Sequence, residues 1–144
     1  MATQTGVTIV MVDDNADEIF LTRRLVRRDG IVNNFVSEKK PAHLLRTLDD
    51  LRSAGVDPHS MVLLLDINMP RMNGFETLSE IRASTDYWDL PVIMLSASEE
   101  EGDVKEAFAR GANGYMVKPF TAEDFLETLG RVPQVRLQLV TAVS

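Results

Sequence analysis

The chain has 144 residues, 44% of them hydrophobic and 26% charged, which predicts one soluble globular domain with a core of its own. Its 15 basic and 22 acidic residues leave a net charge of −7, which argues against a nonspecific nucleic-acid or anionic-membrane binder. The absence of cysteine excludes a disulfide framework, a thiolate metal site and a cysteine nucleophile, and fits a reducing compartment.

Five β-prone runs alternate with segments of helical period. The first run, 7–12, leads into Asp13 and Asp14. Asn15 with Glu18 three positions on then marks a helix start of the capping-box kind. Leu21 and Leu25 are the expected core pair of this helix, with Ile19, Phe20 and Val26 spread more widely around it. The second run is 31–37; Pro41 suits the first turn of the next helix, whose stripe is Leu44, Leu48 and Leu51. The third run, 61–65, lies in "SMVLLLDINMPRMNG" and ends on Asp66. Asn73 with Glu76 opens a helix whose stripe is Phe75, Leu78 and Ile81.

The fourth run, 91–96, is followed by Ser98 with Glu101 and by the stripe Val104, Ala107 and Phe108. The fifth, 114–117, is followed by Lys118 and Pro119. Thr121 with Asp124 is the weakest of the capping pairs, because aspartate reaches less far; the stripe after it is Ala122, Phe125, Leu126 and Leu129. Pro133 should end this helix. Beyond it Val135, Leu137 and Leu139 alternate with polar residues, as in an extra strand, an arm on a second subunit, or a frayed tail.

Three of the runs are almost continuously apolar, the mark of strands covered on both faces. With strand and helix alternating five times, the expected fold is α/β: a doubly wound five-stranded parallel sheet with five helices, (βα)5. The expected organisation is one domain over 1–131 and an extension over 132–144 with no output domain. No apolar run approaches the roughly 18–20 residues of a membrane helix. Residues 1–6 carry no basic side chain, so no secretory signal is expected and the expected location is cytoplasmic.

Ligands of doubly wound sheets sit beyond the carboxyl ends of the strands. There the sequence places Asp13, Asp14, Asp66, Ser96 and Lys118. Like-charged carboxylates about 4 Å apart cost on the order of 4 kcal/mol per pair at an effective dielectric near 20, so a proton or a cation belongs among them. Oxygen donors alone favour a hard ion, Mg²⁺ or Mn²⁺ in its place, and the acids lack the single-loop spacing of a calcium site. A metal, a lysine and a hydroxyl around one carboxylate suit phosphoryl chemistry, with Asp66 as nucleophile and Lys118 and Ser96 binding the product. Taken singly, each has an ordinary explanation as a cap or turn residue.

The segments "VTIVMVDDN", "VLLLDINMPRMNGFE", "PVIMLSAS" and "GANGYMVKPF" resemble, in order and spacing, the signature of the receiver domain of two-component response regulators. The resemblance runs from about Val7 to Arg131 and implies a flavodoxin-like fold. It implies that Asp66 accepts a phosphoryl group from a sensor histidine kinase or a phosphotransfer protein, without being a turnover enzyme. By the same resemblance Asp14 binds Mg²⁺ directly, Asp13 often through water, and Asn68 through its backbone carbonyl. Ser96 is the switch hydroxyl, Tyr115 the switch aromatic unless it is an ordinary strand residue, and Lys118 the conserved-type lysine with a cis bond to Pro119. Ser96 departs mildly from the family's more usual threonine; Ala97 keeps access for phosphate, and Asn68 and Ser98 sit where dephosphorylation rate is tuned.

"SASEEEGDVKEAFARGANGYMVKPF" looks most like the regulators that partner phytochrome-type kinases, some of which form homodimers, a use the tail could serve. The output would be contact with a downstream protein or draining phosphate from a kinase, with no nucleic acid or membrane partner. The alternatives are a degenerate receiver acting as a scaffold, an aspartyl-phosphate hydrolase and a flavin binder. Asn68, where such hydrolases usually carry a second acid, weighs against the hydrolase; Asp13 and Asp14, which would repel a flavin phosphate, weigh against the flavin binder.

Overall fold

A computed structural model describes residues 7–27, 32–67, 73–97 and 101–132. The elements follow in strict alternation: β1 (Val7–Val12), α1 (Ala16–Val26), β2 (Val32–Glu38), α2 (Leu44–Ser53), β3 (Met61–Asp66), α3 (Gly74–Ala83), β4 (Val92–Ser96), α4 (Glu101–Ala109), β5 (Gly114–Val117) and α5 (Ala122–Gly130). Short 3₁₀ turns, Pro41–His43 and Pro58–Ser60, lead into α2 and β3. The strands form one parallel sheet in the order β2-β1-β3-β4-β5. Five parallel strands with five helices is the expected doubly wound arrangement.

Strand alternation sorts the core into two layers. Val10, Val12, Leu63, Leu65 and Met94 pack with Leu44 and Leu48 of α2, Leu78 and Ile81 of α3 and Ala107 of α4. Ile9, Met11, Val62, Leu64, Ile93 and Leu95 pack with Ile19 and Val26 of α1 and Phe125 and Leu129 of α5. Both layers are closed, so β1, β3 and β4 are buried at every position, whereas the edge strand β5 alternates buried and half-buried. Each fully buried leucine or isoleucine contributes roughly 1.5–3 kcal/mol.

Some helix faces, and the bounds of β2, β3 and β4 by one residue, depart in detail from the expected pattern. On α1 the buried residues are Ile19, Thr22 and Val26. Leu21 is 61% exposed and Leu25 only flanks the core. Starting at the Asn15 cap, the 3.6-residue turn points 19, 22 and 26 inward and carries Leu21 round to solvent. On α4 Ala107 is buried, Val104 half-buried and Phe108 49% exposed. On α5 Leu126 is half-buried, beside buried Phe125 and Leu129. β2 extends to Glu38, because Glu38 is paired with Val12, and β4 begins at Val92, one residue after the proline. Ile31, Asn68, Ser98, Pro133 and the 134–144 segment lie outside the described residues.

Candidate functional site

The strand registers bring the chemistry-bearing residues to one level. Val12 pairs with Leu65, which sets Asp13 level with Asp66. Asp66 pairs with Leu95, the residue before Ser96, and Ser96 pairs with Val117, the residue before Lys118. The Lys118 N–H donates to the Ser96 carbonyl at 2.7 Å, and the Lys118–Pro119 bond is cis. The third helix starts hard against this edge, since the Gly74 N–H donates to the Ile67 carbonyl at 2.8 Å.

Alternation also decides which helix overlooks the acids. Met11 and Leu64 face α1 and α5, so Asp13 and Asp66, two residues further on, lie on that same side. Glu18, in the first turn of α1, reaches them there. Lys118 Nζ stands 2.5 Å from Glu18 Oε2, 3.1 Å from Asp66 Oδ2 and 3.3 Å from Asp13 Oδ2. One carboxylate oxygen from each of Asp13, Glu18 and Asp66 lies within 4.8 Å of the others. Asp13, Asp66 and Ser96 are buried, Lys118 is nearly so, and Glu18 closes the solvent side.

The acids are electrostatically strained and partly relieved by the lysine. Burial pushes the Asp13 carboxyl up to about 7, and its hydrogen bond with Glu18 adds to this. The Asn15 N–H, donating to Asp13 Oδ1 at 2.9 Å, and the Lys118 charge pull the other way. Glu18 is held below its ordinary value, first by the hydrogen bond with Asp13 and then, against burial, by Lys118. Burial would lower Lys118, but its hydrogen bond to Glu18 and the charges of Asp66 and Asp13 hold it above its usual value.

The structure therefore brings together Asp13, Asp66 and Lys118 of the sequence-derived set, with Ser96 buried at the adjoining strand end. Asp14 is exposed at the mouth, outside the 4.8 Å group of acids. Tyr115 is half-buried and packs against the core layer on the α4 side. Asn68 lies outside the described residues. In the sequence, Glu18 reads only as the partner of the Asn15 cap. The Asn15 side chain does accept from the backbone N–H groups of Asp17 and Glu18, but the Glu18 carboxylate is directed to Lys118. The usable signal was an acid in the first turn of a helix that follows the Asp13–Asp14 pair at once.

Residues 9–130 match the response regulator receiver domain. The chain belongs to that family. The receiver is 33% identical over 127 residues to the chemotaxis protein CheY-3 of Vibrio cholerae serotype O1, covering 88% of this chain and 92% of that protein. Among solved structures it is similar to the bacteriophytochrome response regulator RtBRR, with a TM-score of 0.74 and 32% identity over 88% of this chain and 78% of that one. It is also similar to the bacteriophytochrome response regulator AtBRR, with a TM-score of 0.75 and 27% identity over 89% and 93% of the two chains. The fold is thus the flavodoxin-like fold of CheY-like regulators, and the receiver is a two-component response regulator domain.

Among the described residues, no helix is long and apolar enough to cross a membrane. The donor set fits a hard divalent cation: it offers only carboxylate oxygens, and these are close enough together to share one ion.

Proposed function

We propose that this receiver accepts a phosphoryl group on Asp66 from a histidine kinase or phosphotransfer protein and signals by contact with another protein. The observation that carries the reading is the buried Asp66 carboxylate with Lys118 Nζ at 3.1 Å and two further acids beside it. An Asp66 oxygen attacks phosphorus and forms a new O–P bond. The P–N bond to the donor imidazole breaks, and its electron pair leaves with the nitrogen. Lys118 balances the charge of the incoming phosphoryl oxygens, and Ser96 offers a hydroxyl to one of them. Asp13 and Asp66, with Asp14 and the Asn68 carbonyl, would hold Mg²⁺, or Mn²⁺ in its place. When bound, the ion neutralises phosphoryl oxygens.

Movement of Ser96 toward the phosphoryl group would open space for Tyr115 and bias the surface formed by α4, β5 and α5. The receiver is a stoichiometric acceptor, not a turnover enzyme, and works in the cytoplasm. Its likeness to two bacteriophytochrome response regulators supports a phytochrome-type kinase as the donor.

The test is incubation with acetyl phosphate and Mg²⁺, followed by intact mass, with Asp66→Asn as control. Here the P–O bond to acetate breaks and acetate leaves. A gain of one phosphoryl group in the wild type alone is expected. No gain on rapid sampling, with acetyl phosphate and then with a histidine-phosphate donor, would leave only a phosphorylation-independent scaffold.

A further inference from the structure

We propose that Glu18 is a positioning residue that takes over Lys118 when a divalent cation claims Asp13 and Asp66. The inference rests on the phosphoacceptor reading and goes beyond it, since Glu18 belongs to neither the acceptor nor the switch set. The Lys118 ammonium has three N–H donors and stands among the three carboxylates at 2.5, 3.1 and 3.3 Å. The two longer contacts are to the Oδ2 atoms of Asp66 and Asp13, the deeper acids. A cation on those acids takes the partners of Lys118 and adds a like charge beside it. Without a third acid the ammonium would be left 17% exposed and unpaired, a costly state for a buried charge.

Glu18 supplies that third acid, and its geometry suits the task. Its contact with Lys118 is the shortest of the three, and its side chain is 39% exposed where that of Asp13 is 0%. It therefore lies on the more exposed side of the ammonium, with Asp13 and Asp66 on the buried side. Its backbone is fixed, because Asn15 caps the helix and Ile19 and Val26 are buried below it. Lys118 can then give up Asp13 and Asp66 by a small movement of its tip. It stays within reach of a phosphoryl oxygen on Asp66.

A double-mutant cycle on Mg²⁺ affinity tests this, with isothermal titration of Mg²⁺ into the wild type, Glu18→Ala, Lys118→Met and the double variant. Glu18→Ala should weaken Mg²⁺ binding about tenfold when Lys118 is present and less than about threefold in the Lys118→Met background. Glu18→Gln should fall between wild type and alanine, because its amide oxygen still accepts from the ammonium; it also serves if the alanine variant fails to fold in a thermal melt. Equal loss in both backgrounds would overturn the proposal by showing that Glu18 acts on the cation itself. Unchanged or tighter binding in Glu18→Ala would overturn it too. If the wild type bound no Mg²⁺ and gained no phosphoryl group, the phosphoacceptor reading and the role of Glu18 would fall together. If the wild type did both and the cycle showed no coupling, only the role of Glu18 would fall.

Discussion

Gly74 illustrates how little freedom the acceptor's surroundings allow. A Cβ on Gly74 would lie 2.4 Å from the Asp66 carbonyl oxygen and 2.9 Å from Ile67 Cα. The first residue of α3 is thus packed directly on the backbone that carries the acceptor. Gly74→Ala must move one of them, and both are main chain. The expected cost is about 1–3 kcal/mol of stability, with at least about tenfold slower gain of a phosphoryl group from acetyl phosphate. Gly102 makes the matched control: no atom lies within 4 Å of its would-be Cβ, so Gly102→Ala should stabilise α4 by about 0.5 kcal/mol. Denaturant melts of the two variants decide it, and a Gly74→Ala protein as stable as the wild type would refute the close docking. At this scale the sequence was most informative where a strand ran into a polar residue, as at Asp66 and Lys118. It was least informative at Glu18, because an acid in a first turn is explained equally well by a cap and by the helix dipole. Only the side of the sheet that α1 covers separates those uses.

The elements are held in register by polar ties at the edge opposite the acids. Arg82, in the last turn of α3, donates to the Gly111 carbonyl at 3.0 and 2.6 Å, to the Leu90 carbonyl at 2.7 Å and to Asn113 Oδ1 at 2.9 Å. Asn113 Oδ1 also accepts from the Val92 N–H at 2.9 Å, so one pair of side chains joins α3, the start of β4 and the turn into β5. Arg82→Leu should cost roughly 2–3 kcal/mol, since it removes the guanidinium donors from the part-buried Gly111 and Leu90 carbonyls and from Asn113. Arg82→Lys should recover little, because a single ammonium cannot span the fork of a guanidinium. A urea midpoint for Arg82→Lys equal to the wild type would count against this. Such ties were not legible in "GANGY", where nothing in the local pattern pairs Asn113 with an arginine about thirty residues earlier. The helix starts at Asn15, Asn73 and Thr121 were legible, though not in rank: the Thr121–Asp124 pair, expected to be the weakest, forms the full reciprocal box. Aspartate is long enough there because both hydrogen bonds, Asp124 N–H to Thr121 and Thr121 N–H to Asp124, close at 3.0 Å. The stripe of α1 misled for another reason: leucines at 21 and 25 share a face by spacing, but spacing does not say which face turns inward.

For the whole molecule, the coupled acids make stability depend on pH and on cation together. Asp13 titrates near 7 in the fold against 3.8 when unperturbed, so the native state holds that proton more tightly than the unfolded chain. Its contribution is therefore most favourable below about pH 4 and declines as pH rises to about 7. Glu18 is shifted the other way, so its contribution is present above its ordinary value of 4.5 and is lost on acidification below it. The two windows barely overlap, which leaves Asp13 to dominate between about pH 5 and 7. Tyr87 adds a third window: burial, helped by its 2.6 Å hydrogen bond to Asp49, pushes its hydroxyl up to about 12. Stability from Tyr87 is thus retained to about pH 10 and lost on the way to 12. In metal-free buffer, the melting temperature of the wild type relative to Asp13→Asn should fall from pH 5 to 7 and then level off, as the value of about 7 requires. Relative to Tyr87→Phe it should be flat there and fall only above about pH 10. Mg²⁺ needs the Asp13 carboxylate free of its proton, so saturating cation should stabilise the wild type more at pH 8 than at pH 5.5. Below about pH 7, cation binding should release close to one proton per ion, read as a buffer-dependent heat in calorimetry. Asp13→Asn should abolish that buffer dependence. If it persisted in the variant, the proton would belong to another acid, and the strain in the metal-free cluster would have to be reassigned.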